Sequence, residues 1–149
     1  GVRLGIDVGR ARIGVARCDA GGLIVIPVVT VTRKSGDIQE LVRLAAEHEA
    51  MEYVVGLPLS LSGTPTASTA DARGFAVRLS SASELPVRLV DERLSTVTAQ
   101  RSLHEAGKSI RSSRPVIDQV AATIILQHAL DVERSGGQPP GELIIRTEG

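Results

Sequence analysis

The chain has 149 residues, 17 basic and 17 acidic side chains, one tyrosine, one phenylalanine and no tryptophan. That length suits one domain burying roughly two-thirds of its unfolded surface around an aliphatic interior. Zero net charge names no partner and leaves a local basic patch open for nucleic acid, while a lone Cys18 excludes an intrachain disulfide and a cysteine metal cage but not an intermolecular disulfide.

Val2, Leu4, Ile6 and Val8 alternate with Arg3, Gly5 and Asp7, the period of a strand. Ile13 to Cys18 and Leu23 to Thr32 read as the second and third strands. The turns between them, Gly9-Arg10-Ala11-Arg12 and Asp19-Ala20-Gly21-Gly22, are short and contain Gly, so the chain opens as an antiparallel meander. Leu23 to Val31 is also the longest apolar stretch, but it contains Pro27 and is far too short to span a bilayer. No basic-then-apolar signal segment opens the chain, and a cytoplasmic domain with no membrane association is expected.

Ile38, Leu41, Val42 and Ala45 then recur at helical spacing, and Tyr53-Val54-Val55-Gly56-Leu57 is an apolar run typical of a parallel strand buried on both faces. Ala72, Phe75, Ala76 and Leu79 mark a second helix, Pro86 to Val90 a fifth strand, and Ser95 can cap a short helix that stops at Gly107. Pro115 suits the first turn of a long last helix reaching about Arg134. In the tail, Leu143-Ile144-Ile145 leaves a small strand and loose packing both open. The expected architecture is α/β, a five-stranded mixed sheet with helices on both faces. A three-strand antiparallel meander and two parallel strands make up that sheet. The domain covers residues 1–135 and a C-terminal tail residues 136–149. Right-handed crossovers place the later strands beside the first, so Asp7 ends a central strand, the usual address of a ligand site.

Three acids carry the chemistry. Asp7 shares its strand face with Gly5 and Gly9, whose missing side chains leave room for an ion and a phosphate; a turn aspartate between turn glycines is the plainer alternative. Asp91 and Glu92 are neighbours at a strand end and point to opposite sides, and parity there does not choose between them. Asp118 aligns with Ala121, Ala122, Ile125 and Ala129, the apolar face of the last helix. A carboxylate aimed at a core costs several kcal/mol unless a cation or hydrogen bonds offset it. An acid in the first helical turn would instead gain about 0.3–1 kcal/mol from the dipole. Convergent carboxylates without matching cations repel, so such a cluster implies divalent metal. Lys108, Arg111 and Arg114, in a segment free of acids, and Arg10 and Arg12 beside Asp7 are the candidate phosphate contacts. Metal and basic residues together read as phosphodiester hydrolysis. There is no G-x-S-x-G elbow or Walker-A sequence, and His48, His104 and His128 lack metal-ligand spacing.

At Gly5-Ile6-Asp7-Val8-Gly9, Arg12-Ile13-Gly14-Val15-Ala16, Val55-Gly56-Leu57-Pro58 through Gly63, Asp91-Glu92-Arg93-Leu94-Ser95-Thr96 and Asp118 through Leu130, the chain resembles the YqgF family. These are RuvX-type Holliday-junction resolvases, also described as pre-16S rRNA nucleases. Five motifs in order make the resemblance specific, and it spans Arg3 to Asp131. It implies a ribonuclease-H-like fold, with Asp7, Glu92 and Asp118 as catalytic metal ligands. Where the family often has Thr-Lys before Arg-Ile-Gly, this chain has Arg10-Ala11.

The expected activity is that of a metal-dependent endonuclease with two Mg²⁺ or Mn²⁺ ions. The expected partner is structured nucleic acid, either a four-way DNA junction or ribosomal RNA precursor, recognised by shape because aromatic stacking platforms are lacking. Symmetric junction cleavage requires a homodimer. Two rivals come from other classes. One is a nonenzymatic nucleic-acid adaptor. The other is an actin/hexokinase-type ATP-binding domain, suggested by Asp7-x-Gly9 but needing two such domains around the nucleotide.

Overall fold

A computed structural model of the chain describes residues 1–59, 62–92 and 114–144, apart from the side chains of 114–117. The meander forms as expected: β1 (Val2–Val8), β2 (Arg12–Cys18) and β3 (Val25–Thr32) pair antiparallel. Pro27 is tolerated because β3 is an edge strand, and it coincides with a register shift between Val15 and Ala16. Helix α1 (Asp37–Glu47) leads to β4 (Ala50–Leu57), which lies parallel to β1. Helix α2 (Ala67–Ala82) starts at a capping box in which Thr66 and Thr69 satisfy each other's main-chain N–H. Strand β5 (Val87–Asp91) then adds parallel to β4.

Helix α3 (Arg114–Gly136) begins one residue before Pro115. Asp118 therefore sits in the second turn, where the helix dipole gives it little, and no acid occupies the first. The tail adds β6 (Glu142–Leu143), antiparallel to β5, so the sheet has six strands among the described residues rather than five, in the order β3-β2-β1-β4-β5-β6. Two main-chain pairings and Ile144 N–H donating to Val87 O at 2.9 Å are enough to seat it. The short helix expected between Ser95 and Gly107 lies outside the described residues.

Strand alternation sorts the interior into two layers. Leu4, Ile6, Tyr53, Val55, Val87 and Leu89 face α1 and α2, where Leu41, Phe75 and Leu79 are fully buried. Val54 and Val90 face α3 and meet Ala121, Ile125, Leu126 and Ala129. The apolar stripe read for the last helix is thus the one that docks. No helix among the described residues is long and apolar enough to cross a membrane.

Candidate nucleic-acid site

Glycines on the α3 face of the sheet let this helix approach the backbone. A Cβ on Gly14 would lie 2.0 Å from Asp118 O, and one on Gly5 would meet Leu126 Cβ at 2.7 Å and Ala122 O at 2.8 Å. The space beside Asp7 that Gly5 leaves is therefore filled by the helix, rather than kept for a ligand as the sequence suggested. At Gly9, a Cβ would meet Arg12 O at 2.7 Å, so that glycine serves the tight β1–β2 turn.

This packing brings the acids to one end of one face. Asp7 is directly opposite Gly14 in the β1–β2 register, and opposite residues of an antiparallel pair project to the same side. Asp7 therefore projects toward the helix that carries Asp118, and it is only 2% exposed. Glu92, 3% exposed, follows β5 and lies over Gly56, where a Cβ would come 2.6 Å from its Oε1 and 2.5 Å from Ile125 Cδ1. Asp91 is half-buried and pairs in register with Leu57. Burial on the α3 face thus distinguishes Glu92 from its neighbour, a choice that strand parity alone left open.

Arg12 donates from Nε to Asp118 Oδ2 at 2.9 Å, with the two side chains 32% and 16% exposed. Its neighbour Arg10 is exposed on the turn and contributes to holding the Asp71 carboxyl below its usual range, though the hydrogen-bonded Arg33 is the principal cause. Lys108 and Arg111 lie outside the described residues, as does the side chain of Arg114.

Sequence reasoning missed Arg33. Its Nη1 donates to Gly9 O at 2.8 Å, its guanidinium grips both oxygens of Asp71 at 3.0 and 3.1 Å, and it stacks 5.1 Å from the Phe75 ring centre. Its main-chain N–H donates to Ala11 O at 2.9 Å, so a single residue fixes both sides of the turn that carries Arg10 and Arg12. No local signal announces this, since the partner Asp71 lies 38 residues away. The glycine floor was more legible, because glycine inside a strand marks close backbone approach.

In kind, Asp7, Glu92 and Asp118 suit a hard divalent cation, being oxygen donors on one face. Yet no group of three or more His, Cys, Asp or Glu among the described residues is placed to hold a metal ion. The donor chemistry fits, while Asp118 is engaged by Arg12.

The sheet order and the helix laid across it define an α/β fold of the RuvC, ribonuclease-H-like kind. A solved Thermus thermophilus RuvC bound to a Holliday junction substrate superposes with a TM-score of 0.58 at 16% identity, over 94% of this chain and 99% of that one. The family profile described as "RuvX: Holliday junction resolvase" matches residues 1–132, and the chain belongs to the RuvX family. A relative from Clavibacter michiganensis subsp. michiganensis is 59% identical over 98% of this chain and 92% of that protein. One from Leifsonia xyli subsp. xyli is 57% identical over 95% and 92%. Both carry the name "Putative pre-16S rRNA nuclease".

Proposed function

We propose that the chain is a divalent-metal-dependent endonuclease for structured nucleic acid, with ribosomal RNA precursor as its main substrate. The observation that carries this reading is the gathering of Asp7, Glu92 and Asp118, from three distant segments, at one end of the α3 face. The identity to relatives named as pre-16S rRNA nucleases directs it toward RNA. A four-way DNA junction is the second substrate, favoured by the family's description.

Asp7, Glu92 and Asp118 are the residues that would hold Mg²⁺ or Mn²⁺. When bound, a pair of such ions supplies an acidified water and neutralises charge on the scissile phosphate. The protein's own part is positional. Asp7 is fixed by a central strand, Glu92 by its seat over Gly56, and Asp118 by the contact of its main chain with Gly14. Burial of Asp7 and Glu92 limits competition from bulk water, and Arg10, Arg12, Lys108, Arg111 and Arg114 are the residues that would hold backbone phosphates.

The test compares the wild type with Asp7→Asn on a 5′-extended 16S precursor and on a labelled four-way junction, in Mg²⁺, Mn²⁺ or EDTA. The expected result is metal-dependent cutting that falls about 100-fold or more in the variant while its melting temperature holds. Full-rate cutting by a folded Asp7→Asn protein would sink the mechanism. Binding indifferent to metal and to the substitution, with no cutting of either substrate, would favour an adaptor.

A further inference from the structure

We propose that Arg12 is a tethered cation that holds Asp118 until a divalent ion displaces it, and that the freed guanidinium then takes a backbone phosphate. This deepens the metal-dependent reading above and rests on it. Arg12 Nε and Asp118 Oδ2 are 2.9 Å apart, so this carboxylate oxygen already has its cation. The main chain of Asp118 is held in place, because a Cβ on Gly14 would come within 2.0 Å of its carbonyl oxygen. An ion that takes Asp118 Oδ2 therefore displaces the arginine from that oxygen.

Arg12 is built to yield. Its main chain is anchored, with its carbonyl accepting from Gly9 N–H at 2.9 Å and the turn clamped by Arg33. Its side chain, 32% exposed, has open solvent to swing into. Arg12 and Gly14 are two positions apart on β2, so both project to the face where Asp7 lies. A displaced guanidinium at that place is next to any phosphate bound over Asp7, and its planar fork matches phosphate oxygens two at a time. Metal and nucleic acid then assist one another, since the ion liberates the group that grips the backbone, and such coupling is reciprocal.

The experiment titrates Mn²⁺ alone into the full chain and reads free Mn²⁺ by electron paramagnetic resonance, for wild type, Arg12→Gln, Arg10→Gln and Asp7→Asn. Arg12→Gln should bind Mn²⁺ several-fold more tightly, and Arg10→Gln, which removes the same charge from the same turn, should stay near wild type. An Arg12→Gln protein that binds no better than wild type, or an equal gain in Arg10→Gln, overturns the proposal. If Asp7→Asn binds Mn²⁺ as well as wild type, the metal reading itself fails; if only Asp7→Asn weakens and Arg12→Gln shows no gain, the tethered cation fails alone. A second readout uses Ca²⁺ and a labelled precursor RNA. Ca²⁺ should raise the affinity of the wild type several-fold and that of Arg12→Gln hardly at all, and equal enhancement in both overturns the proposal. Arg12→Lys, a point charge that keeps the cation but loses the fork, serves both assays if the glutamine variant does not fold, and should fall between the two.

Discussion

The two ends of the sheet treat charge differently, although the same strands and the same helix run through both. At the far end, Arg3 touches Glu52 at 2.6 Å and Glu133 at 2.7 Å, and Arg88 holds the other oxygen of Glu52 at 3.1 Å. Those residues sit on β1, β4, β5 and α3, so each charge is fixed by regular structure, and the Arg3 and Glu52 side chains are only 11% and 9% exposed. At the near end the arginine that meets Asp118 opens β2 beside a turn and is a third exposed. The Arg3–Glu52–Arg88 part of this network is buried and held by three strands, with only Glu133 on the helix a third exposed, and it serves architecture. An arginine a third exposed is easier to displace, which is what the proposed exchange of cations at Asp118 requires.

Removing a partner at the far end should give the largest stability effect. Arg3→Leu takes the cation from Glu133 and leaves Glu52 to Arg88, and removing one partner of a buried pair such as Arg3–Glu52 costs about 3 kcal/mol. Denaturant unfolding should show that loss, while cutting per folded molecule stays at the wild-type rate. An equal stability loss in Arg12→Gln would erase the proposed difference between the ends.

Gly14→Ala tests how the near end is assembled. The new Cβ would lie 2.0 Å from Asp118 O and 2.3 Å from Asp118 C, so the start of α3 must move off the sheet. Overpacking of this kind costs about 1–3 kcal/mol. Because Asp118 moves with the helix, Mn²⁺ affinity should fall as well. Gly141→Ala is the control: its Cβ would be as close to Leu89 O, 2.1 Å, but it sits just before β6 and presses on β5. It should lose stability and keep its affinity for Mn²⁺. Equal Mn²⁺ affinity in both variants would mean that the position of Asp118 does not govern the site.

How much of this was legible follows from where each constraint acts. Strand period and helical spacing act within one segment, so the meander, both crossover strands and the docking face of α3 could be read directly from Val2 to Val8 or from Ala121 to Ala129. The parity of Glu92 could not, because a strand end is where alternation stops deciding direction; its contact with Gly56 across two strands settles its burial. Strand β6 is not legible in the sequence, because two residues carry no period. Arg33 and the Arg12–Asp118 pair were invisible for the same reason as each other. Their partners lie 38 and 106 residues away, and a single charged residue gives no sign of which distant acid it will meet.

The smallest expected effect separates the two arginine pairs at the near end itself. Hydrogen bonding from Arg33 holds the Asp71 carboxyl below its usual range, against a smaller opposing effect of burial. A folded-state pKa below the unfolded value, about 3.9 for aspartate, contributes stability that is present above that value and disappears as pH falls through the folded one. Asp71→Asn should therefore lower stability at neutral pH and converge with wild type in acid below about pH 3.9. The difference should be about 1 kcal/mol or less, because Asp71 is 37% exposed and water screens the pair. Thermal melts from pH 7 downward measure it. Unlike Arg12→Gln, this variant should leave Mn²⁺ affinity unchanged, because Arg33 still donates to Gly9 O and the turn keeps its shape. A shift in Mn²⁺ affinity equal to that of Arg12→Gln would show that both pairs act through the turn rather than through direct competition for Asp118.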